Sequence, residues 1–348
     1  MGKYIKILFG VLFLLVLFFS FKSEYFDFHE EKKKIKQEQK ILDKGVKDFS
    51  LEKTRNIDDT KIYYTPYGSL LEKIVKDIKS AQKRVFVEVY ILTEKRIVEA
   101  LKNAKIRGVD VRVILEKNLY KANNLNNKAF NYLKKNNVNI IWSNPENYSL
   151  NHTKLMIIDS KAYISTGNFT HSSFFFNRDF FIYTKDKKVL NDLEEIFLID
   201  FQYKKNLVYS HDLVLSPNYS REKFEKLFSS AEKSLKLYFQ YIKDKDLEDL
   251  LIKKSLDGVD VEIVVSQKSF NEDREEIDDL RSYGIKIYPI KKYKMHSKAI
   301  LVDEKYLFIG SINFSTYSID KNREIGILLK NEDIIKTFVN VFNQDFEK

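Results

Sequence analysis

The chain carries the same pattern twice. Gly108-Val-Asp-Val111 recurs as Gly258-Val-Asp-Val261, an offset of 150 residues, and His152-Thr-Lys154 recurs as His296-Ser-Lys298, an offset of 144. Each glycine follows a helix-like segment, Ile97 to Arg107 and Leu247 to Asp257. Each leads into an apolar, β-branched run, Val111 to Leu115 and Val261 to Val265. That order places glycine at a helix C-terminus ahead of a buried strand. Val85 to Ile91 and Leu235 to Tyr241 occupy the matching upstream strand position. From Gly108 to His152 is 44 residues and from Gly258 to His296 is 38, so the first copy is expected to carry one insertion, in the Asn-rich stretch around Asn123 to Asn127. A chain built this way folds as two α/β domains of one kind, meeting about a pseudo-twofold axis. The division is expected near Tyr203 to Tyr209.

Composition agrees with a fully packed pair. The 348 residues are 44% hydrophobic, and only 10 Gly and 4 Pro interrupt them. Regular elements with short connections follow, and low-complexity architectures are excluded. Lys and Arg number 60 against 50 Asp and Glu, a net charge of +10 that attracts phosphate-bearing or anionic partners. With no cysteine, disulfides, thiolate catalysis and Cys-ligated metals are excluded.

The N-terminus reads separately. Lys3 and Lys6 precede an apolar run from Ile7 to Phe21, closed by Lys22. Counted from Tyr4, the run just reaches the roughly 17–25 residues of a spanning helix. Ser20 to Ser23 is a poor signal-peptidase site, so an uncleaved anchor is expected over residues 1–22, with a cleaved signal peptide as its rival. Residues 23–58 are dominated by charge and read as a stalk. Two domains follow, 59–204 and 205–348. The bulk of the chain is expected outside the cytoplasm, although Lys32, Lys33 and Lys34 compete with Lys3 and Lys6 in setting orientation.

The chemistry lies in what trails each histidine. The first copy runs His152-x-Lys154-x4-Asp159, then Ser165-Thr166-Gly167-Asn168 and Asn177-Arg178-Asp179. The second runs His296-x-Lys298-x4-Asp303, then Gly310-Ser311-x-Asn313 and Asn322-Arg323-Glu324. From Asn168 to Asn177 is nine residues, and from Asn313 to Asn322 is nine again. His and Lys two apart on a strand share one face, with the intervening Thr or Ser turned away. A hydroxyl and a carboxamide brought back toward that face make a donor set suited to phosphate oxygens. The trailing acid, Asp179 or Glu324, can accept from the second imidazole nitrogen and fix its tautomer. One His-x-Lys is weak evidence, since a histidine at a strand edge more often packs than catalyses. Two full sets in register are strong evidence.

This arrangement resembles the HKD motif of the phospholipase D superfamily, over nearly the whole chain from about Lys61. The second copy matches throughout. The first is one residue shorter between Asp159 and Asn168 and has Ser165-Thr166 where the family has Gly-Ser. The resemblance implies tandem α/β/α sandwich domains sharing one active site. It implies His152 and His296 as the catalytic pair, with Lys154, Lys298, Asp179 and Glu324 in the machinery. Lys154, Lys298, Asn168, Asn313, Thr166 and Ser311 would hold the phosphate, and Asp159 and Asp303 would support the motif. It also implies metal-independent, cofactor-free phosphodiester cleavage through a phosphohistidine, with His152 as nucleophile and His296 as acid and base. Their pKa values would then be held apart by neighbouring charges. A phospholipid substrate at a membrane, hydrolysed, is expected first, because an anchor concentrates the site there. A nuclease comes second, as nucleic acid also suits a basic chain. A phosphatidyl transferase of the cardiolipin synthase kind comes next, since those usually have more spans. A silent anion-binding scaffold comes last. A monomer containing its own pseudo-dimer is expected.

Overall fold

A computed structural model of the chain describes residues 32–66, 68–122 and 124–346. The apolar run of the expected anchor lies outside them. Among the described residues no helix is long and apolar enough to cross a membrane. Residues 32–47 form a helix that clusters with Leu207–Tyr209 as a small unit. Residues from Phe49 onward, grouped with the stalk by their charge, belong instead to the main unit, where Phe49 and Leu51 join a hydrophobic core and Arg55 pairs with Asp186 and Asp212.

The first half contains Thr60–Tyr64 (β1), Arg84–Val89 (β2), Asp110–Leu115 (β3), Asn139–Trp142 (β4), Lys154–Ile158 (β5), Lys161–Ser165 (β6), Asn177–Arg178 (β7) and Phe180–Thr184 (β8). Seven of these form one sheet in the order β1-β8-β6-β5-β2-β3-β4. The second half contains Leu213–Ser216 (β9), Ser234–Tyr238 (β10), Ile242–Lys243 (β11), Asp260–Ser266 (β12), Lys286–Ile290 (β13), Lys294–Met295 (β14), Ala299–Val302 (β15), Tyr306–Gly310 (β16), Phe314–Ser315 (β17) and Glu324–Leu329 (β18). Its sheet, read from the other edge, runs β9-β18-β16-β15-β10-β12-β13 and repeats the first strand for strand. In each, three strands reached by helical crossovers are parallel and the rest antiparallel.

Alternation within the strands builds the layers. Val85, Val87 and Val89 of β2 join Val111, Val113 and Leu115 of β3 under the helices Leu70–Ser80, Lys95–Ile106 and Asn127–Lys135. Leu235 and Leu237, with Val261, Ile263 and Val265, do the same in the second half under Ser220–Ser229 and Lys245–Leu256. The opposite faces turn inward, and β5, β6 and β8 pack against β16 and β18. Helices Lys187–Phe201 and Glu332–Phe346 fill the remaining inner space: Phe197 stacks on Phe86 at 4.8 Å, and Phe338 meets both Phe180 and Tyr238. Strands buried on both faces explain why they read as continuous apolar runs.

The ladders correct the expected single insertion. Arg112 lies opposite Asn139 and Glu262 opposite Lys286, so the offset of 150 at β3 has already fallen to 147 at β4. It falls to 144 only at the histidines. Three extra residues therefore lie in the crossover before β4 and three between β4 and His152.

Each inner helix ends on a carboxylate that reaches the other half. Arg178 donates from Nε and Nη2 to Asp345 at 2.6 and 2.9 Å, and Arg323 donates from Nε to Asp200 at 2.7 Å. Both arginines are 1% exposed. Removing one partner leaves an uncompensated buried charge, at a cost of roughly 3–5 kcal/mol. Arg178→Met is therefore expected to lower unfolding free energy by about that amount in denaturant titrations, and adding Asp345→Asn should recover part of it.

Candidate active site

His152 and His296 each sit just before an antiparallel strand, β5 and β15, and each is stitched to the opposite half. The His152 N–H donates to Arg323 O at 2.8 Å, and the His296 N–H donates to Arg178 O at 3.2 Å. The β14–β7 ladder and the Asn151–Arg323 bridge are the two copies of this seam. The residues between His and Lys add to it, since the Thr153 hydroxyl donates to Arg323 O and the Ser297 hydroxyl to Arg178 O.

The consequence is an exchange of acids. His152 Nδ1 lies 2.9 Å from Glu324 Oε2, and His296 Nδ1 lies 2.9 Å from Asp179 Oδ1. Each imidazole thus takes its acid from the other copy, where sequence order pairs it with the acid of its own. With Nδ1–H donated to the carboxylate, Nε2 keeps its lone pair free for chemistry. The acids are themselves held. Asn177 donates to Asp179 Oδ2 at 3.3 Å and Asn322 to Glu324 Oε1 at 3.4 Å. Gly167 has to be glycine, because a Cβ there would fall 2.7 Å from the Asp179 carboxyl carbon.

The lysines close the site. Both are fully buried; Lys154 donates to His152 O at 2.6 Å, and Lys298 donates to His296 O and, at 3.3 Å, to Gln240 Oε1. Asn168 and Asn313 are each 7% exposed, and their side-chain oxygens have no partner among the described residues, as suits side chains kept for a ligand. Thr166 and Ser311 have partners within the protein. The Thr166 hydroxyl donates to Asp179 at 2.7 Å and accepts from Phe180 N–H, while the Ser311 hydroxyl exchanges bonds with the Ile325 backbone. The two hydroxyls brace the backbone beside the acids, Asp179 just ahead of β8 and Glu324 at the start of β18. Asp159 and Asp303 each accept three backbone N–H groups at the start of β2 or β10, from Gln82, Lys83 and Arg84 or from Glu232, Lys233 and Ser234. They fasten the hairpin behind each motif, far from the imidazoles in role. Among the described residues no group of three His, Asp or Glu side chains is gathered to hold a metal.

The electrostatics of the pair are symmetric. Burial lowers His152 to about 4 with help from Lys154 and Lys298, against the pull of Glu324. Burial and Lys298 lower His296 to about 4 against Asp179. Burial lowers Lys298 to about 8 and drives Lys154 well below its ordinary value. Burial pushes Asp179 up, but His296, Lys298 and Thr166 outweigh it and hold the carboxyl below the usual range. The expected separation between the two histidines is therefore absent from the site itself, and both imidazoles are neutral at neutral pH. An anion seated between them would supply charge that raises both.

The copies do differ one layer away. Tyr90 sets its ring edge-on to His152, with centroids 4.8 Å apart, where the second copy has Gln240 beside Lys298. Glu88 occupies the strand position that Tyr238 fills in the other half. Tyr238 donates its hydroxyl to Asp345, whereas Glu88 accepts from Asn151, the neighbour of His152, at 2.7 Å. Sequence reasoning missed Glu88, Asn151, Tyr90, Gln240 and the two arginines. Only the arginines carried a signal, their recurrence in Asn-Arg-Asp and Asn-Arg-Glu.

Two outcomes follow from this geometry. Glu324→Gln should impair reaction at His152 and Asp179→Asn reaction at His296. Rate measurements paired with detection of the histidine adduct check this, and an adduct at His152 untouched by Glu324→Gln would refute the exchange. Burial, followed by Asp200, raises Glu88 to about 8 from an ordinary 4.5. The folded state then binds the extra proton, so its contribution is complete below pH 4.5 and is lost as pH rises through 8. Glu88→Gln keeps the bond from Asn151. It should be more stable than the parent by on the order of 3–5 kcal/mol above pH 8, with the difference vanishing near pH 4.5 in denaturant titrations.

Comparison with known proteins finds one family in both halves. The family described as cardiolipin synthase, PLD-like domain, matches residues 74–200 and 224–346. A cardiolipin synthase of Clostridium perfringens (strain SM101 / Type A) is 27% identical over 94% of this chain and 78% of its own length. Cardiolipin synthase 2 of Bacillus cereus is 25% identical over 79% of this chain and 62% of its own. Among solved structures, phosphatidylserine synthase from Haemophilus influenzae superposes with a TM-score of 0.70 at 13% identity, covering 89% of this chain and 90% of that one. Polyphosphate kinase from Porphyromonas gingivalis superposes at 0.65 and 15%, covering 83% and 50%, and at these identities the two share the fold. With both family segments falling on the two halves that exchange their acids, the chain is an enzyme of the phospholipase D superfamily.

Proposed function

We propose that this enzyme transfers phosphatidyl groups between alcohols, in the manner of a cardiolipin synthase, through a phosphohistidine. The observation that carries it is the crossed pair of imidazole–carboxylate contacts inside a buried cleft with two lysines. Nε2 of His152 attacks phosphorus as the bond to the leaving alcohol breaks, and His296 gives that alcohol its proton. An acceptor alcohol then gives its proton to His296 and attacks phosphorus as the P–N bond breaks. Lys154, Lys298, Asn168 and Asn313 hold the phosphate oxygens through both steps. The same site could pass the phosphatidyl group to water. Likeness to cardiolipin synthases supports the alcohol as acceptor, which reverses the ranking drawn from the sequence, where hydrolysis came first. A cleft in which His152 is 8% exposed and both lysines are fully buried supports it too, because it restricts water at the intermediate. With phosphatidylglycerol as both donor and acceptor the products are cardiolipin and glycerol. An N-terminal anchor with the catalytic halves outside the cytoplasm remains part of the proposal.

Full-length protein with phosphatidylglycerol vesicles in EDTA should form cardiolipin and release glycerol. Phosphatidic acid as the sole product would make it a hydrolase, cutting of single-stranded DNA a nuclease, and a divalent-ion requirement would contradict the histidine route. His152→Ala should abolish the covalent adduct. His296→Ala should still label at His152 with a p-nitrophenyl leaving group while losing on the order of 10²–10⁴-fold on lipid. Mass spectrometry after an acid-free quench assigns the roles, and an adduct on His296 alone reverses them.

A further inference from the structure

Next to the two motifs along the chain lie exposed aromatic and basic side chains that the chemistry does not use. The helix His171–Phe175 begins three residues beyond Asn168 and presents three consecutive phenylalanines at and after its end. Phe174 is buried, but Phe175 is 39% and Phe176 is 60% exposed. The exposed pair is not loose: His171 packs on both rings, and the Arg96 guanidinium lies 5.5 Å from the Phe175 centroid. Phe176 is also tied to a basic strand, since the Lys294 N–H donates to its carbonyl at 3.2 Å. Lys291, Lys292 and Lys294, on the run leading to His296, are all exposed. The matching position in the second half repeats the theme more weakly. The helix Thr316–Asp320 begins three residues beyond Asn313, Tyr317 on it is 63% exposed, and the Lys321 ammonium lies 4.5 Å over its ring.

Exposed aromatic rings beside lysines are the anchors found where a protein meets the headgroup region of a bilayer, the rings entering the interface and the ammonium groups meeting lipid phosphates. We propose that Phe175, Phe176, Lys291, Lys292 and Lys294 form a docking surface for an anionic phospholipid bilayer, seating the mouth between the two motifs on the membrane. The proposal rests on the phospholipid reading of the site. Charge complementarity selects the occupant: a lysine cluster on a chain of net charge +10 favours an anionic surface over a zwitterionic one. Aromatic rings and lysines also bind single-stranded nucleic acid, by base stacking and phosphate contact. The experiment has to separate the two.

The chain has no cysteine, so one introduced thiol is unique. Full-length Phe176→Cys would carry an environment-sensitive fluorophore, beside Ile106→Cys, which lies 71% exposed at the end of the helix Lys95–Ile106. Any tethering by the N-terminal segment acts on both labels alike. In phosphatidylglycerol vesicles the label at 176 should shift to the blue and become several-fold less accessible to a water-soluble quencher, with a smaller change in phosphatidylcholine and none at 106. Equal quenching at the two positions overturns the proposal, as does a response at 176 to a single-stranded oligonucleotide but not to vesicles. Lys291→Gln, Lys292→Gln and Lys294→Gln together should remove the preference for phosphatidylglycerol, and a preference that survives removes the lysines from the surface. Lipid products measured in the same vesicles separate the two readings. A protected label without transfer keeps the surface and sinks the transferase, and transfer with a wet label does the reverse.

Discussion

Two backbone carbonyls, those of Arg178 and Arg323, are the points on which the structure turns. Each accepts the N–H of the opposite histidine, each is followed by the acid that holds that histidine, and each belongs to an arginine clamped by the opposite half. Backbone, carboxylate and guanidinium therefore fix the same relation between halves three times over. A shift large enough to misplace an imidazole would also break a buried ion pair, whose rupture costs several kcal/mol. The placement of both imidazoles is inherited from the seam between the two halves.

The seam also sets the charge of the site. Two lysines stand beside two carboxylates, and both imidazoles are neutral at neutral pH, lowered to about 4 by burial and the lysines. An anion entering between them would favour protonation of an imidazole, which would link anion binding to proton uptake. The asymmetry that does exist, Tyr90 against Gln240 and Glu88 against Tyr238, lies behind the imidazoles.

Much of this is legible in the sequence. The repeated Gly-Val-Asp-Val and His-x-Lys fixed the duplication, because a period that long is not produced by strand or helix amphipathicity. Continuous apolar runs such as Val261 to Val265 announced strands buried on both faces. The exchange of Asp179 and Glu324 was not legible, since sequence order pairs each acid with the nearer histidine and only the seam reverses this. Nor were the bonds that tie the Thr166 and Ser311 hydroxyls to the Phe180 and Ile325 backbone, which the register of β8 and β18 sets. Glu88 sat unnoticed in an apolar strand, because one carboxylate in such a run carries no sign of its partner Asn151, 63 residues away.

The arginine clamp has a consequence for the timing of synthesis. Arg178 and Asp345 are 167 residues apart in sequence, and the ring of His152 waits for a carboxylate 172 residues downstream. The first half carries a histidine, a lysine and an asparagine before either the carboxylate that holds that histidine or the one that clamps Arg178 has been made. Synthesis from the N-terminus therefore completes the two contacts only once Glu324 and then the helix Glu332–Phe346 have been added.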